Sequence, residues 1–257
     1  MTYAATIAIV FSTLGGYVAC GAQTYRVPVD QDQDRRSKSA VAGSESNLVG
    51  IHSSKGWAKR LPIHFKVSAE LSQAQATQLQ NAMRTWEAAV GRQLFQFDGP
   101  ETKRGMDFPS LYAPLDDSIN SHYLDPEWAR LTGKSKQVLA SCIWENDPRD
   151  PQQIAKSDIR YNTESYLFGD SIVDFSEGDK TIVDLQSLAL HELGHLLGLS
   201  HINTDEDRYS VMNPALFIGE GMITRNLSRS DIERIRSIYG VGDASQGDNL
   251  PVSDDEH

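Results

Sequence analysis

The sequence predicts a single α+β domain with polar stretches at both ends, and three observations carry that expectation. An alternating run at 61–67, an amphipathic stretch at 72–90 and a short apolar run at 94–97 give strand, helix and strand in succession. Two more β-prone runs, 138–144 and 158–162, are parted by the Asp-Pro-rich segment 147–151. Two helical stretches with capping residues, 184–197 and 228–239, close the domain.

Taken in order, residues 4–19 are apolar and end in small residues. They fall short of the roughly 20 residues a membrane span needs and read as the core of an export signal. Cys20, directly after Val18-Ala19, resembles a bacterial lipoprotein cleavage site, although no Lys or Arg precedes the run and Tyr17 stands where leucine is usual. The expectation is a signal peptide over 1–20 and an exported protein. It would be an outer-membrane or cell-surface lipoprotein if Cys20 is acylated, and periplasmic or secreted otherwise. Residues 21–54 are polar and poor in aromatics, as a flexible tether would be. The domain is expected over 55–240, with order beginning near Trp57, and 241–257 as a disordered acidic tail.

Within the domain, Ser72 caps the first helix, Leu79, Met83, Trp86, Ala89 and Val90 form its inward face, and Gly91 ends it. Residues 99–136 read as surface loops with a short strand or helix, and His122 as a solvated histidine. Residues 163–183 admit either a hairpin or a flap. Asp184 caps the helix that follows, and Ala189, Leu190, Leu193, Leu196 and Leu197 face the core. Ser228 caps the last helix with Asp231 at N3, Ile232, Ile235 and Tyr239 point inward, and Gly240 stops it.

The chain of 257 residues has a net charge of −11, from 24 basic and 35 acidic side chains. That balance, without a basic stripe, argues against a nucleic-acid partner, and a monomer is expected. Two cysteines, Cys20 and Cys142, make no disulfide framework, and Cys142 is expected to be a small buried residue.

The chemistry concentrates in 190–201, which reads LHELGHLLGLSH. His191 and His195 are four apart, so a helix presents both imidazoles on one side. Gly198 lets the chain turn out of the helix and bring His201 back as a third ligand. Three neutral imidazoles leave zinc one open tetrahedral position. Glu192, about 100° round from His191, stands where a general base for a water belongs. At background frequencies these five fixed positions coincide in about one chain of this length in 10⁵.

The phrase HELGHLLGLSH resembles the zinc-binding signature of the metzincin peptidases. Ser210-Val211-Met212-Asn213-Pro214 is similar to their Met-turn, and 232–240, IERIRSIYG, to the closing helix of the matrixin branch. The resemblance implies a metzincin-like catalytic domain: a twisted mixed sheet, two long helices, a zinc cleft and a C-terminal helix. It assigns His191, His195 and His201 to one catalytic zinc ion and Glu192 to catalysis, and it makes Met212 a packing floor below the histidines. It also implies that Val138, Leu139, Ala140 and Ser141 border the cleft as an edge strand, with Asn213, Pro214, Ala215 and Leu216 as the outer pocket wall. The expected partner is an extended protein or peptide substrate. Two other functions are weighed: a catalytically inactive zinc-binding surface lipoprotein acting in adhesion or scaffolding, and a hydrolase of non-peptide amides. The acidic loop 203–207 raises Ca2+ as a second ion, but it has no EF-hand spacing.

Overall fold

The computed structural model describes residues 25–28, 50–58, 60–203 and 205–241. The signal segment with Cys20, the tail beyond 241 and most of the expected tether lie outside the described residues.

Nine strands and four helices run through the described chain. The strands are β1 (Tyr25–Pro28), β2 (Ile63–Ser68), β3 (Phe95–Glu101), β4 (Asn120–Leu124), β5 (Ala140–Asp147), β6 (Asp150–Tyr161), β7 (Tyr166–Gly169), β8 (Thr181–Asp184) and β9 (Ala215–Ile218). The helices are α1 (Gln73–Val90), α2 (Trp128–Thr132), α3 (Leu185–Leu196) and α4 (Arg229–Tyr239). The main sheet has the order β3-β2-β4-β6-β5. Its first four strands are mutually parallel, and β5 closes one edge antiparallel to β6. This is the mixed sheet expected, with the 138–144 run at its edge and 158–162 inside.

Capping explains where the long helices begin. Ser72 Oγ accepts from the amide of Gln75, and the Gln75 side chain accepts from the amide of Ser72, a reciprocal capping box. Gly91 ends α1 at φ 71°. Asp184 holds the start of α3 by accepting from Ser187 N at 2.9 Å. α1 packs along α3, and the Trp86 indole donates to Leu190 O at 3.0 Å. Almost every residue of α3 is buried, so the zinc-signature helix is the central element of the core.

Three expectations need correcting. His122 is a core residue, 1% exposed on β4, with its Nδ1 3.0 Å from the Tyr161 hydroxyl. A histidine flanked by Ser121 and Tyr123 looks polar in sequence, yet both faces of β4 are covered here: His122 stacks on Tyr161 and meets Phe65, and Tyr123 meets Phe108. Residues 99–136 do hold a short strand and a short helix, β4 and α2, but the stretch is not confined to the surface. Tyr123 and Trp128 are fully buried, and Arg160 inside the sheet fixes the stretch by donating to Asp125 and to the carbonyls of Gly105, Ser110 and Leu111. The tether expected over 21–54 contains structure. Residues 25–28 pair antiparallel with β9, and 50–54 lie against the end of α3.

Segment 163–183 resolves into two short parallel strands, β7 and β8, joined by the loop 170–180. Among the described residues, no helix is long and apolar enough to cross a membrane.

Candidate metal centre and cleft

α3 carries His191 and His195, and the chain breaks from the helix at Gly198 with φ 109°. A Cβ on Gly198 would lie 2.8 Å from the carbonyl oxygen of Ser53, so both conformation and space demand glycine. The turn returns His201 to the other two. The three Nε2 atoms form a triangle with sides of 3.0, 3.1 and 3.2 Å.

Those distances are too short for three imidazoles left to themselves. His191 Nδ1 donates to Val211 O at 2.7 Å and His195 Nδ1 to Leu199 O at 2.8 Å. A carbonyl can only accept, so in both rings the proton sits on Nδ1 and the lone pair on Nε2. Burial, reinforced by the neighbouring His201, pushes His191 down to about 3 and His195 well below its ordinary value, so neither ring becomes a cation near neutral pH. Two lone pairs facing each other at 3.0 Å repel, and a divalent cation removes the conflict. Tetrahedral zinc with bonds of about 2.0–2.1 Å would set its ligand nitrogens about 3.3 Å apart. The observed triangle is within a few tenths of that, and the donor set is the nitrogen set zinc prefers. Among the described residues, this trio is the only group of three or more His, Cys, Asp or Glu able to hold one ion.

Glu192 is fully buried beside the trio, and its charge adds to burial in pushing the Tyr161 phenol well up. Met212 is fully buried beneath, its Sδ packed against the bare backbone of Gly194. Asp231, on α4, accepts from Ser210 Oγ at 2.6 Å and from Val211 N at 2.9 Å, which holds the residue whose carbonyl orients His191.

A cavity of about 550 Å³ opens next to His191. Asn213, Ala215 and Leu216 of the expected wall line it, together with Val211 and Leu227. Pro214 joins the two parts of that wall. Asn213 is tied down by donating to Asp207 O and Ser210 O. Val138, Leu139, Ala140 and Ser141 are all buried; Ala140 and Ser141 belong to β5, the edge strand of the main sheet, and Val138 and Leu139 lead into it. The carbonyls of Val138 and Leu139 accept from Asn162.

Sequence reasoning missed His52, Trp57 and Tyr239 Oη at this site. All three bind carbonyls at the end of α3: His52 Nε2 to His195 O, the Trp57 indole to Leu196 O, and the Tyr239 hydroxyl to Leu197 O, each at 2.8 Å. A helix must satisfy its last four carbonyls from outside. That requirement was a usable signal, but the donors come from distant segments.

Two helical histidines, a third returned by a glycine turn, a glutamate beside the first and a buried methionine below make this a metal centre of the metzincin type. The chain matches the matrixin peptidase family over residues 53–240 and belongs to it. Metalloendoproteinase 2-MMP of Arabidopsis thaliana is 39% identical over 75 residues, 29% of this chain and 18% of that protein. Stromelysin-2 of Rattus norvegicus is 42% identical over 65 residues, 25% of this chain and 13% of that one. The matched stretch thus spans less than a fifth of either relative. High choriolytic enzyme 1, a hatching enzyme zinc-protease from Oryzias latipes, aligns at a TM-score of 0.35 and 15% identity over 79% of this chain and all of that one, a slight likeness.

Proposed function

We propose that the protein is a zinc-dependent endopeptidase acting on extended protein or peptide substrates. His191, His195 and His201 hold the ion and Glu192 is the general base. The observation that carries this reading is the triangle of Nε2 atoms, two of them with their lone pairs turned inward, beside a glutamate that ligation alone would not require. Bound zinc supplies Lewis acidity and lowers the pKa of a water toward about 7. Glu192 accepts the proton of the attacking water and returns it to the leaving amine nitrogen, a role worth about 10²–10⁴ in rate. His191 and His195, locked by Val211 O and Leu199 O, cannot swing away as this happens. The cavity beside His191 takes the side chain that follows the scissile bond, and β9 bounds it. Export through residues 1–20, with acylation of Cys20 as an anchor, belongs to the same proposal and is supported by the sequence of that segment. N-terminal mass spectrometry of the protein from its native host decides it.

Cleavage of casein and of a peptide library tests the activity. The unaltered protein should cut both, a zinc chelator should stop it, and Glu192→Ala should lose at least a hundredfold while still binding zinc. Undiminished cleavage by Glu192→Ala would remove the proposed base.

A further inference from the structure

The end of α3 is completed by a segment 140 residues away in sequence. Gly50, Ile51, His52 and Ser53 run antiparallel past the Gly198 turn, with Ile51 opposite Leu199. The amides of His52 and Ser53 both donate to Gly198 O, at 2.9 and 3.2 Å, and Ser200 N donates to Gly50 O at 2.8 Å. The His52 ring then reaches inward and donates from Nε2 to His195 O at 2.8 Å. That ring is clamped on its other side by Trp144, with centroids 4.2 Å apart and planes 24° from parallel. Arg234 of α4 ties the arrangement from outside by donating to both Gly50 O and Ser200 O.

These contacts converge on Gly198, Leu199 and Ser200, three of the five residues that separate the second histidine from the third. The turn must hold His201 so that its Nε2 stays 3.1 Å from that of His195. Leu199, whose carbonyl fixes the tautomer of His195, is the residue paired with Ile51. We propose that His52 is a positioning residue for the metal centre: its Nε2–H on the His195 carbonyl, with its segment's amides on Gly198, sets the turn that delivers His201. This rests on the zinc reading of the trio given above. His52 itself stands outside the trio of histidines whose nitrogens lie close enough to share one ion.

The test compares zinc affinity, measured by competition with a chromophoric chelator, and the visible spectrum of the cobalt-substituted protein. His52→Phe keeps a ring to stack on Trp144 and loses the donor, whereas His52→Gln keeps a donor. Partners that orient ligands from outside typically change metal affinity about 10–100-fold. His52→Phe should therefore bind zinc at least tenfold more weakly, with an altered cobalt spectrum, and His52→Gln should recover most of the affinity. Zinc affinity and cobalt spectrum of His52→Phe equal to the unaltered protein's would overturn the proposal. His201→Ala separates the two readings. If that variant loses zinc while His52→Phe does not, only the role of His52 falls. If the unaltered protein binds no zinc, both fall. Should His52→Phe fail to fold, nitrogen-15 spectra of the unaltered zinc-loaded protein decide: a slowly exchanging Nε2–H on His52 is expected, and an Nδ1–H tautomer there refutes the role.

Discussion

Met212 Sδ fills the space that a side chain on Gly194 would need: a Cβ placed on Gly194 would fall 2.2 Å from Sδ and 3.2 Å from Trp86 Cζ2. Gly194 lies between the two helical histidines, where alanine would favour the helix by about 1 kcal/mol. The fold accepts that loss so that the methionine can press directly on the backbone carrying its metal ligands. The floor of the centre and the glycine in the signature are one feature.

Gly194→Ala should therefore destabilise the protein despite the better helix former. Overpacking a full core site costs about 1–3 kcal/mol, which exceeds the gain in propensity. Urea unfolding of the metal-free protein should show a net loss. Met212→Ala opens room, so the double variant should lose less than the two single losses combined. A Gly194→Ala protein more stable than the original contradicts this.

Asp231 links α4 to His191 through a single residue, Val211. It accepts from Val211 N while Val211 O accepts from His191, and its other oxygen takes the buried Arg234 guanidinium at 2.6 Å. Asp231→Ala should weaken zinc binding about 10–100-fold by releasing that residue. Leaving Arg234 buried without its partner should also cost about 3–5 kcal/mol. Chelator competition and denaturant titration read the two effects separately. Unchanged zinc affinity would mean that the Met-turn holds its shape without the carboxylate.

Local signals made much of this legible in sequence. The capping boxes at Ser72 and Ser228, the cap at Asp184, the glycines after each long helix and the spacing of the three histidines all act within a few residues, and the structure keeps them. What failed to show were relations that depend on long-range pairing. His122 reads as solvated because nothing nearby says that β4 lies between β2 and β6. His52 sits in a polar run that looks like linker and Trp57 just past its end, and their worth lies in carbonyls 139–143 residues away. Asp231 was legible as a cap but not as the support of Val211.

Arg160 and Asp125 form an ion pair with both side chains fully buried, joined by two hydrogen bonds of 2.5 and 2.7 Å. The guanidinium also holds the carbonyls of Gly105, Ser110 and Leu111, so it organises a stretch with little regular structure. Asp125→Ala should cost about 3–5 kcal/mol, because a charge is left in the core without its partner. Exchanging both residues for apolar ones of similar volume should cost less than the single change. Equilibrium unfolding of the two variants checks this. A single variant as stable as the original would show that water enters to solvate the arginine.

His122 supplies a pH dependence that can be isolated. Burial holds its imidazole down at about 3, against 6.5 when exposed. Between those values the unfolded chain takes up a proton that the folded protein does not. The group's contribution is therefore fully present above pH 6.5 and is lost as pH falls toward 3, at about 1.4 kcal/mol per pH unit. Other buried groups titrate in the same window, His191 among them, so the slope of the unaltered protein is a composite. His122→Phe removes this one contribution and suits a site already bordered by Phe65 at 6.1 Å between ring centroids. The variant loses the contact with the Tyr161 hydroxyl and should be less stable at pH 7, but that loss is independent of acid. Stability measured from pH 7 to pH 4 should fall less steeply in the variant, by about one proton's worth of slope. Parallel curves would show that His122 is protonated in the folded state across this range, through local opening or an acidic neighbour, and that burial does not keep it neutral.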